Sequence, residues 1–204
     1  SKTGFALTTV KTRAKIYYDV NDALVIKRSA ELFARDIQMV TGQKPELIQK
    51  RERAKALVIV GTIEKNQWIC ELAQKGKIDI RPLQGAWERY LIQTVDNPSP
   101  GVAKALVIAG SDRRGAAYGL FSISEMMGVS PWYWWGDVPV KTHKALYVDA
   151  PPTYSKTPSV KYRGIFLNDE DWGLKPWAAK TFEKERGNIG PRTYAKICEL
   201  LLRL

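Results

Sequence analysis

Short apolar runs alternate with segments whose apolar positions recur every three or four residues through most of the first 150 positions. Residues 15–18 and 23–26 read as strands, with Asn21 and Asp22 as the turn between them. Ala30, Phe33, Ala34, Ile37 and Val40 then fall on one helical face, and the pattern stops at Thr41-Gly42, where glycine suits a left-handed C-cap. A short strand is expected over 45–49. Residues 56–61 are apolar throughout, as in a strand covered on both faces, and 105–110 repeat that type. Between them lie a predicted helix over 64–74, a strand over 87–95 and a loop over 96–101 that contains Pro98, Pro100 and Gly101. Ser111 or Asp112 can cap a further helix that carries Ala117, Leu120, Phe121 and Ile123 and ends at Gly128. A strand-like run at 145–148 closes this first region.

Prolines at 151, 152 and 158 then mark a connector. Beyond it, residues 160–167 read as a strand that runs into Asn168, Asp169, Glu170 and Asp171. Residues 194–204 read as a helix with Tyr194, Ile197, Cys198, Leu201 and Leu202 on its apolar face, after Gly190-Pro191. The expected division is an α/β domain over 1–150, a proline-rich linker over 151–159 and a strand–loop–helix unit over 160–204. One such unit cannot cover both faces of its strand, so the last region reads as incomplete.

Composition narrows the chemistry. At 204 residues, 45% hydrophobic and 26% charged, the chain has a globular profile, and no apolar run approaches the roughly 20 residues that span a bilayer. No membrane partner is expected. Ser1-Lys2-Thr3-Gly4 opens no secretory h-region, but a chain that has lost its signal peptide reads the same way. His143 is the single histidine, and Cys70 and Cys198 are far apart, which leaves no pattern for a metal site, a cofactor or a disulfide framework. Both cysteines sit in helical patterns and read as buried small hydrophobes. The net charge of +11 is scattered, with Lys50, Arg51 and Arg53 beside Glu52 and Arg113-Arg114 beside Asp112, so it favours a solvated surface over a nucleic-acid partner.

Three stretches could carry a site. The glycine turns at Gly61-Thr62 and at residues 110–115 follow buried strands, as phosphate-binding turns do, but Ala116-Ala117 stands where a phosphate-binding loop needs Lys and Ser or Thr. Ordinary strand-to-helix turns account for both. The run Pro131-Trp132-Tyr133-Trp134-Trp135-Gly136-Asp137-Val138-Pro139 offers aromatic faces either for stacking on sugar rings or for packing a domain joint. Asn168-Asp169-Glu170-Asp171-Trp172 stands just past the end of a predicted strand, which in a (β/α)₈ barrel is the active-site face. The alternative is a solvated acidic turn. Glycoside cleavage sets two carboxyl groups across the scissile bond, and neighbours on one turn rarely span that gap.

Taken in order, Ser111-Asp112-Arg113-Arg114-Gly115-Ala116-Ala117-Tyr118-Gly119-Leu120, the aromatic run from Gly128 to Pro139, Arg163-Gly164-Ile165-Phe166-Leu167-Asn168-Asp169-Glu170-Asp171 and Gly190-Pro191-Arg192-Thr193-Tyr194 resemble the xylan α-glucuronidases of glycoside hydrolase family 115. The Gly115…Tyr118-Gly119-Leu120 stretch is also similar to the accessory domain that precedes the barrel in β-hexosaminidases and family 67 α-glucuronidases. The resemblance implies a mixed-sheet accessory domain of the hexosaminidase domain 2 type, followed by the first βα unit of a truncated TIM barrel. It implies removal of glucuronic or 4-O-methyl-glucuronic acid side chains from glucuronoxylan, with inversion, by a longer protein, the present residues alone being inactive. It also implies an extracellular or periplasmic setting and the remainder of the barrel as partner. Asn168, Asp169 and Glu170 are then the residues lining the uronate pocket, with Trp172 and Trp135 as rings near the substrate. Catalytic acid and base are not assigned among them. The rival reading is a non-catalytic carbohydrate-binding or docking module built on the aromatic run.

Overall fold

The computed structural model describes residues 4–204 and divides into two compact units, one ending at Pro158 and the other spanning Ser159–Leu204. In the first, β4 (Ala54–Thr62) and β6 (Val102–Gly110) lie parallel at the centre of a sheet. β2 (Lys15–Tyr18) and the short β3 (Leu47–Ile48) continue it in parallel on one side. β5 (Tyr90–Ser99) and β8 (Thr153–Tyr154) continue it antiparallel on the other. Among the described residues the order is β3-β2-β4-β6-β5-β8, so the sheet is mixed. β1 (Phe5–Thr8) and β7 (Leu146–Val148) form a separate antiparallel pair.

The apolar runs at 56–61 and 105–110 are central strands because successive side chains point to opposite faces and both faces are covered. Val58, Val60, Leu106 and Ile108 pack with Ile26, Ala30, Phe33 and Ile37 of α1 (Leu24–Thr41) and with Ala116, Leu120 and Ile123 of α3 (Arg113–Met126). Leu57, Ile59, Val107 and Ala109 pack on the other face with Trp68, Ile69 and Leu72 of α2 (Gln67–Gln74). Full burial of each large side chain in these layers is worth roughly 1.5–3 kcal/mol.

Several expectations are corrected. Residues 24–26 belong to α1, not to a strand. Ile26 is in helical phase with Ala30, Phe33 and Ile37, and its burial in that phase outweighs the β preference of Val25 and Ile26. The loop expected over 96–101 shrinks to a turn, since β5 runs on to Ser99 through a register shift after Asp96, with Asn97 at φ 47°. The connector does not leave the first unit at residue 150. Thr153-Tyr154 pairs with Leu91-Ile92, Ser155 N–H donates to the Tyr90 carbonyl at 2.9 Å, and Tyr154 Oη donates to the Asp79 carbonyl at 2.6 Å.

In the second unit, residues 160–167 form no strand. A strand exists only through its hydrogen-bonded neighbours, and among the described residues none pairs with this segment; Tyr162 and Phe166 are 85% and 93% exposed. A single turn of helix, α4 (Leu174–Trp177), continues as a π-turn (Ala178–Phe182), and α5 (Pro191–Arg203) follows. α5 starts three residues before the predicted helix because Pro191 occupies its first turn, where a missing N–H costs nothing. Its buried face carries Thr193, Ile197, Leu200 and the ion-paired Glu199 and Arg203, whereas Tyr194, Cys198 and Leu201 are exposed. The expected burial of Cys198 is therefore not found; Cys70 is half-buried, donates to the Ile63 carbonyl and has its thiol pushed up by burial.

Candidate functional site

The acidic turn is closed by its own backbone. Leu174 N–H donates to the Asn168 carbonyl at 2.9 Å and Gly173 N–H to the Glu170 carbonyl at 3.1 Å. Gly173 must be glycine, since a Cβ there would stand 2.3 Å from the Asn168 oxygen. This ring puts Asn168, Asp169, Glu170 and Trp172 on one short loop of the second unit, with Trp172 76% exposed.

Three adjacent carboxylates repel one another unless each finds a different environment. Asp169 Oδ2 accepts a hydrogen bond from the Tyr194 hydroxyl on α5. Asp171 Oδ1 accepts one from Lys175 Nζ at 2.7 Å, and that bond lowers the Asp171 carboxyl and raises the Lys175 ammonium. Glu170 is exposed, and its carboxylate meets no hydrogen-bond or ion-pair partner among the described residues. One carboxylate is therefore fixed by a tyrosine, one is neutralised by a lysine, and one is open. An open carboxylate beside a fixed one can accept hydrogen bonds from hydroxyl groups.

Tyr194 gives no distinct signal in the sequence, where it reads as one more apolar position of a helix. Its phenol is raised above the ordinary tyrosine value, chiefly by the bond to Asp169. Glu183 is equally silent in the sequence and is 2% exposed. Its Oε2 accepts from Gly190 N–H at 3.0 Å, Thr193 N–H at 2.9 Å and Thr193 Oγ1 at 2.5 Å, at the start of α5. Removal from water pushes this carboxyl up, but the bonds from Thr193, Arg192 and Gly190 outweigh it and the net direction is down. A carboxylate also suits the positive end of a helix.

Trp135 lies in the first unit, apart from the acidic turn in the division of the chain. Trp134 and Trp135 meet edge to face at 4.7 Å. Tyr133 ties the loop down: its hydroxyl accepts from the Arg35 guanidinium of α1, which also lies 5.6 Å from the ring centre. Trp132 remains 46% exposed. The run is thus partly a packing device and partly open surface.

The glycine turns have their donors taken. Asp22 Oδ2 accepts Thr62 N–H at 2.7 Å, and Asn66 Oδ1 accepts the N–H groups of Trp68 and Ile69 at the start of α2. Asp112 Oδ1 accepts those of Arg114 and Gly115 at the start of α3, while its Oδ2 accepts Glu88 N–H at 2.7 Å. At Gly110 a Cβ would stand 2.2 Å from Ala116 N, so that glycine serves the close strand-to-helix turn. An anion offered to these helix ends meets a carboxylate or amide oxygen already seated there. Among the described residues no group of three His, Cys, Asp or Glu is disposed to hold a metal ion, and no helix is long and apolar enough to cross a membrane.

Residues 155–204, the stretch that carries the acidic turn and α5, match the model of glycosyl hydrolase family 115. The chain superposes over 98% of its length on a solved structure described as a family GH115 4-O-methyl-α-glucuronidase with specificity for decorated arabinogalactans, with 37% identity and a TM-score of 0.79. The chain belongs to glycoside hydrolase family 115. It spans 24% of that relative's length. Two other solved structures are similar at lower level: a GH20 β-N-acetylhexosaminidase from Streptomyces coelicolor A3(2), with 12% identity, a TM-score of 0.46 and coverage of 89% of this chain and 29% of that one, and a Streptomyces plicatus N-acetyl-β-hexosaminidase, with 12% identity, a TM-score of 0.45 and the same coverages. No curated protein matches.

Proposed function

We propose that this family 115 chain supplies the accessory domain and the residues of the first βα unit of the barrel, whose strand pairs only once neighbouring strands are present, in a glycoside hydrolase that removes glucuronic or 4-O-methyl-glucuronic acid side chains from a decorated polysaccharide, glucuronoxylan being the expected substrate. The observation that carries the proposal is the 37% identity with a family 115 4-O-methyl-α-glucuronidase, which extends through the acidic turn. That relative acts on decorated arabinogalactans, so a second acidic polysaccharide belongs in any test.

In this reading the accessory domain expected over 1–150 extends through the paired residues 153–155, the linker expected over 151–159 shortens to 156–159, and 160–204 belong to the first barrel unit. Asn168, Asp169 and Glu170 line the uronate pocket, Trp172 and Trp135 lie near the sugar, and the protein works outside the cell or in the periplasm. The exposed apolar side chains support an incomplete barrel: Tyr162, Ile165 and Phe166 on one segment, Tyr194 and Leu201 on α5. In a barrel such positions are covered by neighbouring strands and helices. Inversion places a general acid and a general base about 6.5–9.5 Å apart. One short turn supplies at most one of them, and of its carboxylates that of Glu170 is the one without a hydrogen-bond partner among the described residues. The 204 residues alone then lack a complete site.

The test is release of uronic acid from glucuronoxylan and from decorated arabinogalactan, by this chain and by a longer chain that completes the barrel. Release by the longer chain only supports the proposal, and release by the 204 residues alone contradicts it. The exposure of Trp132 favours a second reading, a carbohydrate-binding surface on the first unit. Xylo-oligosaccharides at millimolar concentration that shift tryptophan fluorescence support it; an unchanged spectrum removes it.

A further inference from the structure

We infer that Tyr194 is a positioning residue for the acidic turn, its hydroxyl holding Oδ2 of Asp169 so that Oδ1 is left to accept a hydrogen bond from a sugar hydroxyl. The inference rests on the proposed function, because it takes the acidic turn as the substrate-facing loop. Its basis is the way this unit is tied together. Tyr194 belongs to the first turn of α5, and that turn is itself clasped by the buried Glu183 through Gly190 and Thr193. From this anchored turn its hydroxyl reaches across 25 positions of sequence to the Asp169 carboxylate. The loop bearing Asp169 is closed by the Asn168–Leu174 and Glu170–Gly173 backbone bonds, and Asp171 is drawn away by Lys175. The hydrogen bond found at Asp169 among the described residues is the one that Tyr194 makes to Oδ2.

A donor on a fixed helix leaves a carboxylate little rotational freedom, so less ordering is needed when a ligand arrives. Lys175 bonds to Asp171 and acts on Asp169 only through the attraction of its charge. A tyrosine is also suited to the task because it adds no charge to a turn that already carries three. The bond raises the Tyr194 phenol, so it keeps the donated proton through the neutral range.

The experiment is a double-mutant cycle, Tyr194→Phe and Asp169→Asn, in the full-length hydrolase with glucuronoxylan as substrate. Phenylalanine keeps the ring and removes only the hydroxyl. The expected result is a loss of about tenfold in kcat/KM for Y194F, the scale of one hydrogen bond to a charged group, with a larger loss for D169N and a double variant no worse than D169N. Independent, multiplying losses, or a Y194F enzyme as active as the parent beside a crippled D169N, would overturn the positioning role while leaving the functional reading intact. Full activity in both variants would overturn the assignment of the acidic turn as the site. A titration of Tyr194 by carbon NMR in this chain guards against misfolded variants: in D169N the phenol should move back toward the ordinary tyrosine value, and an unmoved phenol contradicts the inference.

Discussion

Thr193 Oγ1 donates to Glu183 Oε2 at 2.5 Å while the Thr193 N–H donates to the same oxygen at 2.9 Å, so one buried carboxylate closes the start of α5. The sequence places no capping side chain at Gly190, and the cap comes instead from seven residues upstream.

Replacement of Glu183 by alanine strips the acceptor from Gly190 and Thr193. Hydrogen exchange at these amides should then accelerate, with the rest of the chain little changed. Because the native carboxyl is depressed, its contribution to stability is complete above the ordinary glutamate range and fades as pH falls through the lower native value. Protection at Thr193 should therefore drop on acidification in the parent and be insensitive to that change in E183A.

Asn66 is buried and bonded through both ends of its amide: Nδ2 donates to the Val60 carbonyl at 3.0 Å while Oδ1 caps α2. Asn66→Ala should cost about 2–3 kcal/mol, a lost cap plus a buried carbonyl left unpaired. Asn66→Asp keeps the cap and loses the donor, so urea unfolding should rank it between the parent and N66A.

Occupied helix starts predict indifference to phosphate. Inorganic phosphate or a nucleoside triphosphate at millimolar concentration should leave the thermal midpoint where a salt-matched control puts it. A saturable rise would show that Asp112 and Asn66 yield their seats at the starts of α3 and α2.

The connector should be held as far as Ser155. Arg89 Nε donates to the Ser155 carbonyl at 2.6 Å, its NH1 to the Pro82 carbonyl at 2.9 Å, and Tyr90 N–H donates to Ser155 Oγ at 2.9 Å. Proteolytic nicking should be confined to positions beyond 155 in the parent and extend into 151–155 in Arg89→Ala.

The central strands were legible because a run such as Leu57-Val58-Ile59-Val60 has no polar face to offer water, and only a doubly covered strand accommodates that. The start of α1 was legible in phase but masked by local propensity, since Ile26 belongs to the spacing of Ala30 and Phe33 while Val25-Ile26 favours a strand. Thr153-Tyr154 was hidden by flanking prolines, and their pairing depends on a β5 edge more than 50 residues away. At the candidate site the acidic turn showed itself as composition. What holds Asp169 could not be read, because Tyr194 becomes its partner only when the start of α5 and the turn are brought together, whereas the Asp171–Lys175 pair is local, four residues apart.

The claim on which the account depends is that Glu170, at the open tip of the acidic turn, serves a uronate-releasing site. It is tested most directly by uronic acid release from glucuronoxylan by the longer chain that completes the barrel and by its Glu170→Gln variant, in which an amide replaces the carboxylate. Release by the parent is expected, with a fall of at least about a hundredfold in E170Q, the scale of a lost acid–base group or pocket carboxylate. Equal release by the two proteins would contradict it.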